Sequence, residues 1–237
     1  MTRSLENDLG QAIAAFVAKT LEEARVAFDV FRATGTLTAS GCARFVERVP
    51  SERKYVWLNH PGPFDGAKAI QPTVVGFDGA VYFGDVRATG LSGYVKIFEQ
   101  HPEITTVSHV RSPYLGAWAQ THRALPIRYL PLQRFSPSRE VPVYVDHRQA
   151  EEDFILERIA ADSHTTAILE ANGGATVWGN GGLRKTAEFI LNLEEAARLQ
   201  LLSEAIGGSR EYGPGVLAQP FRMSSLSEAA SLPASAN

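Results

Sequence analysis

His109 and Arg111 stand two residues apart at the end of a short run rich in Val and Thr, and their side chains are suited to proton transfer and anion binding. An imidazole with an ordinary pKa near 6.5 exchanges protons at neutral pH. A guanidinium is permanently charged and offers a planar fork of donors to a carboxylate or a developing enolate. Glu170 adds a carboxyl group that becomes a base if it is buried. We therefore expect acid–base chemistry on an anionic or carbonyl-bearing molecule.

The elements that position these residues are predicted from hydrophobic periodicity and turn residues. Apolar residues recur at helical spacing, and Gly35 and Gly207-Gly208 mark the ends of two long helices. Helices are predicted over residues 9–32, 90–100, 114–121, 150–161 and 183–206. Strands are predicted over residues 55–58, 105–110, 141–145, 166–169 and 175–178, with a hairpin over 73–83 around Asp78-Gly79.

These elements predict an α/β fold: a single three-layer domain with a central, mainly antiparallel sheet flanked by helices. We expect this domain to span residues 1–222. Residues 223–237 are rich in Ser and Ala, and we expect a poorly ordered tail there. The turn at Asn172-Gly173-Gly174 lacks the lysine and the strand-to-helix context of a phosphate-binding P-loop, so it is interpreted as a tight turn.

The composition excludes several classes of protein. The 237 residues carry a net charge of -3, which gives no reason to expect a nucleic acid or an anionic membrane as partner. The one cysteine, Cys42, excludes an internal disulfide framework. No stretch approaches the roughly 20 apolar residues that span a bilayer, and the first residues do not form a secretory signal. A cytoplasmic location is therefore expected.

Two sequence signatures resemble the class II aldolase/adducin family, especially its ribulose-phosphate 4-epimerase branch. The first is the strand that ends in His109-Val110-Arg111, where the family has His-x-His. The second is Ala167-Ile-Leu-Glu-Ala-Asn-Gly-Gly-Ala-Thr-Val-Trp-Gly179, followed by a long helix that contains Leu193-Glu194-Glu195. The resemblance covers roughly residues 9–208 and implies the fold stated above.

The resemblance implies a degenerate zinc site, because the family's three metal histidines fall at His109, Arg111 and Gly173. A cationic guanidinium cannot ligate zinc, and glycine has no side chain. The family's acidic residue aligns near Gly90, and its phosphate loops align with 40–43 and 60–62. The candidate catalytic residues are therefore His109, Arg111, His60 and Glu170, and the candidate substrate-binding residues are Asn59, Ser40, Tyr94, Arg128 and Arg134.

These residues indicate a metal-independent lyase-type enzyme with no cofactor, in which Arg111 anchors an anionic group and His109 moves the proton. The reaction would be carbon–carbon cleavage or condensation, decarboxylation, dehydration or cyclisation of a small carboxylate- or carbonyl-bearing biosynthetic intermediate. A surface ion pair for Arg111 and a core hydrogen bond for His109 are the alternatives. Two other functions remain open: an adducin-like binding or scaffold domain, and an iron(II) oxygenase site built from His60, His109 and Glu170. The resemblance also implies a homo-oligomer, a tetramer in the family.

Overall fold

The computed structural model describes residues 8–65, 70–85, 94–213 and 215–216. Five α-helices lie in these segments: α1 (Gln11–Ala33), α2 (Val95–Gln100), α3 (Pro113–Ala119), α4 (Glu151–Ala161) and α5 (Gly182–Glu204). A short 3₁₀ helix covers Leu130–Arg134. The strands are β1 (Ala43–Arg48), β2 (Lys54–Asn59), β3 (Thr73–Gly76), β4 (Val81–Phe83), β5 (Thr106–Val110), β6 (Leu125–Pro126), β7 (Glu140–Val141), β8 (Val143–Tyr144), β9 (Ala167–Glu170) and β10 (Ala175–Gly179).

Eight strands form one sheet in the order β4-β3-β2-β1-β5-β10-β9-β8, and β6 pairs with β7 separately. Among these described strands, only the β8–β9 pair of the large sheet is parallel. One face packs against α1, α3 and α5 through a core that includes Phe45 and Val177. The other face packs against α2 and α4 through a core that includes Val107 and Trp178. The expected three-layer arrangement, with a mainly antiparallel sheet between helices, is therefore confirmed.

The predicted elements agree with the structure to within a few residues, with three exceptions. Strand β1 lies where no element was predicted, because three of its six residues are charged and both of its faces are buried. The predicted strand over 141–145 is two short strands, β7 and β8, that belong to different sheets. The β6 strand and the 3₁₀ helix were not predicted. The predicted start of the helix over 90–100 lies partly outside the described residues, as does the tail over 223–237.

The chain that follows β5 is held in place by a buried carboxylate. Glu194, on α5, accepts hydrogen bonds from Ser112 Oγ (2.7 Å) and from the backbone N–H groups of Tyr114 (2.8 Å) and Leu115 (2.9 Å). These N–H groups belong to the first turn of α3, where the helix itself provides no acceptor. Glu194 thus fixes the exit of the strand that carries His109.

A second close contact holds the turn between β9 and β10 against the end of β5. A Cβ added to Gly174 would lie 2.2 Å from the carbonyl oxygen of Val110. No larger residue fits at this position, so glycine lets β10 pair closely with β5. None of the helices in the described residues is both long and apolar enough to cross a membrane.

Candidate active site

A row of polar side chains crosses the centre of the sheet on the face covered by α2 and α4. In the antiparallel ladders, His109 on β5 lies opposite Arg44 on β1 and opposite Thr176 on β10. Asn59 on β2 lies opposite Arg44 and continues the row. Residues directly opposite one another share a face of the sheet, so these four side chains are neighbours.

His109 and Glu170 form the closest ionisable pair in this row. Glu170 is the last residue of β9, and its Oε1 lies 2.6 Å from Nδ1 of His109. Thr176 donates a hydrogen bond to the same carboxylate oxygen. His109 is only 5 % exposed. The two residues that sequence reasoning named as acid and base are therefore brought into direct contact.

The environment of His109 favours its protonated form. Burial lowers the pKa of His109, but hydrogen bonds with Cys42 and Glu170 and the negative charge of Glu170 outweigh this and raise the pKa to about 9. The same hydrogen bond from His109 lowers the pKa of the half-buried Cys42 thiol. At neutral pH the ring is an imidazolium whose Nδ1–H donates to Glu170. Nε2 then remains for Cys42 or for a bound ligand.

A second carboxyl group, that of Glu151, joins the pair from the first turn of α4. Burial and the negative charge of Glu170 raise the pKa of Glu151. Burial alone would raise the pKa of Glu170, but its contacts with His109 and Thr176 outweigh burial and lower this pKa overall. Two neighbouring carboxyl groups whose pKa values are pushed apart can serve as one acid and one base. No sequence pattern distinguishes Glu151, because an acidic first turn is common in helices.

Arg44 is a further residue that the sequence analysis missed, since the strand that carries it was not predicted. Its guanidinium carbon lies 5.3 Å from the ring centroid of Trp57 and 5.8 Å from that of Tyr94. Its Nη2 donates a hydrogen bond to the Tyr94 hydroxyl at 3.0 Å. Tyr94 itself is buried, and burial raises the pKa of its hydroxyl. Tyr94 is not on a strand, but its hydrogen bond to Arg44 connects it to the row of polar side chains.

Arg111 and Ser40 lie at the solvent-exposed edge of the same region. The side chain of Arg111 is exposed, while its backbone N–H donates to the carbonyl of Cys42 at 2.9 Å. The Ser40 hydroxyl is exposed and lies 3.0 Å from the hydroxyl of Thr38. Arg111 is close enough for its charge to contribute to the lowered pKa of Cys42.

His60 lies on the opposite side of the strand ends, against α1. Its ring contacts Phe28 edge to face, with 5.2 Å between ring centroids, and its Nδ1 would lie 3.0 Å from a Cβ at Gly41. Burial lowers the pKa of His60. Together with Arg32 and Gly62, it lines a pocket of about 280 Å³. The two loops that the resemblance assigns to phosphate binding therefore do meet at one pocket.

Arg128 and Arg134 lie elsewhere. Arg128 forms an ion pair with Glu211, with 2.6 Å between Nη2 and Oε2. Arg134 lines a separate pocket of about 470 Å³ with Trp178 and Lys185, beyond the end of β10 that is opposite to His109. Neither arginine contributes to the row of polar side chains around His109.

Comparison with known proteins agrees with this architecture. The model of the class II aldolase and adducin N-terminal domain family matches residues 33–201, more than half of the chain. The chain belongs to the class II aldolase and adducin family. Three solved structures show the same fold at low sequence identity. L-fuculose 1-phosphate aldolase from Glaciozyma antarctica PI12 has a TM-score of 0.68 at 18 % identity, covering 91 % of this chain and 84 % of its own.

An aldolase II superfamily protein from Pseudomonas syringae has a TM-score of 0.65 at 14 % identity, covering 89 % of this chain and 87 % of its own. L-fuculose-1-phosphate aldolase from Thermus thermophilus has a TM-score of 0.61 at 17 % identity, covering 83 % of this chain and 100 % of its own. This class II aldolase family member therefore shares the fold of these enzymes over most of its length.

Two of the three positions that align with the family's zinc histidines carry no zinc ligand in this sequence, Arg111 and Gly173. Arg111 carries a permanent positive charge and cannot be a ligand, so at most His109, through Nε2, remains from the family's three histidines. A Cβ at Gly173 would lie 3.2 Å from Cβ and 3.5 Å from Oε2 of Glu170, so the Glu170 side chain occupies the space beside that position. In the described segments, no group of three or more His, Cys, Asp or Glu side chains is arranged to hold a metal ion, and this includes the set of His60, His109 and Glu170.

Proposed function

We propose that this class II aldolase family member is a lyase-type enzyme that acts without a bound metal on a small carboxylate- or carbonyl-bearing intermediate. The observation that carries the proposal is the buried contact between His109 and Glu170. An imidazolium fixed by a carboxylate in a mostly dehydrated site is a positively charged and oriented hydrogen-bond donor. In this proposal it performs the task that the metal performs in the family, which is to stabilise negative charge on a carbonyl oxygen.

The chemistry follows from which groups carry protons at neutral pH. Loss of carbon dioxide from a 3-oxo acid leaves the electron pair of the broken bond as an enolate. Cleavage of the bond between the carbons that carry a hydroxyl and a carbonyl does the same, with the hydroxyl proton passing to the Glu170 carboxylate and from there to water. His109 donates a proton to this enolate, and the electron pair of the broken bond forms the new C–H or O–H bond. His109 then regains a proton from water. Glu170 keeps the ring oriented, and Glu151, whose pKa is raised by burial and by the charge of Glu170, adds a second carboxyl group beside it.

Decarboxylation and carbon–carbon cleavage are the two reactions to test first, because both pass through an enolate. The assay supplies a panel of 3-oxo and 3-hydroxy carboxylic acids in D₂O and follows product formation and deuterium incorporation next to the carbonyl by NMR. We expect His109→Gln to lower the rate by roughly 10²- to 10⁴-fold, the usual contribution of a general acid. His101→Gln, which changes a loop histidine paired with Glu103, serves as the matched control.

Metal independence is tested by plasma mass spectrometry of the purified protein and by activity after dialysis against a chelator. We expect metal far below one equivalent per chain and activity that survives dialysis. Near-stoichiometric zinc, with activity lost on its removal, would restore the metal-dependent reaction of the family. Full activity in His109→Gln would remove His109 from the reaction.

A further inference from the structure

Arg44 is a cation in the interior of the site whose hydrogen-bonding capacity is only partly used. Its Nη2 donates to the Tyr94 hydroxyl, which is a neutral partner. Its Nε is buried and has no hydrogen-bond partner in the part of the chain that the structure describes. The indole Nε1 of Trp57, on whose ring the guanidinium is stacked, is also buried and without a partner there. Buried donors in folded proteins are nearly always satisfied, so two such donors on one stacked pair need an explanation.

The balance of charge around Arg44 depends on two carboxyl groups, Glu170 and Glu151. Arg44 and the protonated His109 carry two positive charges. Glu170 carries one negative charge, and it is committed to His109 and Thr176. Glu151 also faces Arg44, but burial and the charge of Glu170 raise its pKa, which favours its neutral form. A buried positive charge that is not balanced is costly, and an anion that enters the site would reduce that cost.

We propose that Arg44 is the residue that binds the carboxylate group of the substrate, with its Nε as donor and the Trp57 ring as its support. The inference rests on the proposed function, since it concerns the same site, and it assigns to Arg44 the anchoring role that sequence reasoning gave to Arg111. A carboxylate is the expected anion, because its two coplanar oxygens match the planar N–H fork of a guanidinium. The Arg111 side chain is exposed to solvent, which screens its charge, so we expect it to bind an anion only weakly.

Binding is measured by calorimetry and by Trp57 fluorescence, with malonate as an unreactive carboxylate probe and sulfate as the comparison anion. We expect Arg44→Met to weaken malonate binding by roughly 10- to 100-fold, the usual effect of losing a hydrogen bond to a charged group. Arg111→Met should change the affinity by less than about threefold. Trp57→Phe, which keeps an aromatic support but removes the indole donor, should abolish the fluorescence change and weaken binding less than Arg44→Met.

The controls separate this inference from the proposed function. Arg44→Lys keeps the charge if Arg44→Met fails to fold, and it should still weaken binding because it loses the planar guanidinium. Malonate binding that is unchanged in both Arg44 variants, sulfate binding in preference to malonate, or no malonate binding to the unmodified protein would overturn the assignment. Arg44-dependent binding without enolate chemistry would leave the assignment standing and remove the lyase function.

Discussion

The charge of Glu170 is what we expect to keep His109 protonated, and Glu170→Gln tests this directly. Glutamine retains an acceptor for the Nδ1–H of His109 but has no charge. The pKa of His109 is raised from 6.5 to about 9 although burial and the charge of Arg44 lower it. This rise corresponds to about 3 kcal/mol in favour of the imidazolium, since one pKa unit is about 1.4 kcal/mol. Without the carboxylate charge, the contact with Cys42 and a neutral hydrogen bond to the glutamine remain to oppose burial, so we expect the pKa to fall from about 9 toward its ordinary value.

The assay is a pH titration of the imidazole ¹⁵N resonances by NMR, with the His109 signal assigned from its absence in His109→Gln. Glu103→Gln is the matched control, because it removes an exposed carboxylate beside another histidine, His101, and should leave the His109 titration unchanged. Thermal unfolding confirms that each variant is folded. A His109 pKa that stays near 9 in Glu170→Gln would show that the carboxylate charge is not the cause, and the acid role assigned to His109 would lose its basis.

Two further predictions concern stability. Glu194→Ala should lower the free energy of unfolding by about 3 kcal/mol, because Ser112 and two N–H groups of α3 lose their buried acceptor. Urea denaturation measures this change, and an effect below about 1 kcal/mol would contradict the role given to Glu194. Burial raises the pKa of Glu47 from 4.5 to about 8, so the folded protein binds more protons than the unfolded chain between these values. Stability should therefore fall as pH rises through this window, by at most about 5 kcal/mol, and Glu47→Gln should flatten this dependence; an unchanged slope would show that another group titrates.

The sequence predicts the features that depend on neighbouring residues better than those that depend on residues far apart in the chain. The long helices and the hairpin were predicted because their periodicity and turn residues are local. His109 and Glu170 were both named, but they are 61 positions apart in the chain, and their contact depends on the alignment of β5, β10 and β9. That alignment is set by packing across the sheet, which no local pattern encodes.

The residues that the sequence analysis missed have a common physical cause. Arg44 lies on a strand that is buried on both faces and also carries Glu47, so its charges hid the apolar pattern of a central strand. Glu151 resembles an ordinary acidic residue at a helix start, and only its position under the sheet distinguishes it. Glu194 was noted as part of a family signature, but its contacts with α3 become visible only when α5 is packed against that helix. In each case the polar side chain is explained by a partner that is distant in the sequence.

The pH dependence of the reaction distinguishes an imidazolium from a metal as the group that stabilises negative charge. A metal ion that stabilises negative charge on a carbonyl oxygen has no proton of its own to lose, so it does not by itself cause activity to fall near pH 9. In the proposed reaction the acid is His109, whose pKa is raised to about 9. Its protonated form is fully present below pH 8 and is lost as pH rises through 9, so kcat should be constant at neutral pH and should fall above it. The pH at which kcat begins to fall should be lower in Glu170→Gln, by the amount that the pKa of His109 falls in the NMR titration. If the fall in kcat stays at the same pH while the pKa of His109 changes, the proton donated in the reaction is not the one on His109.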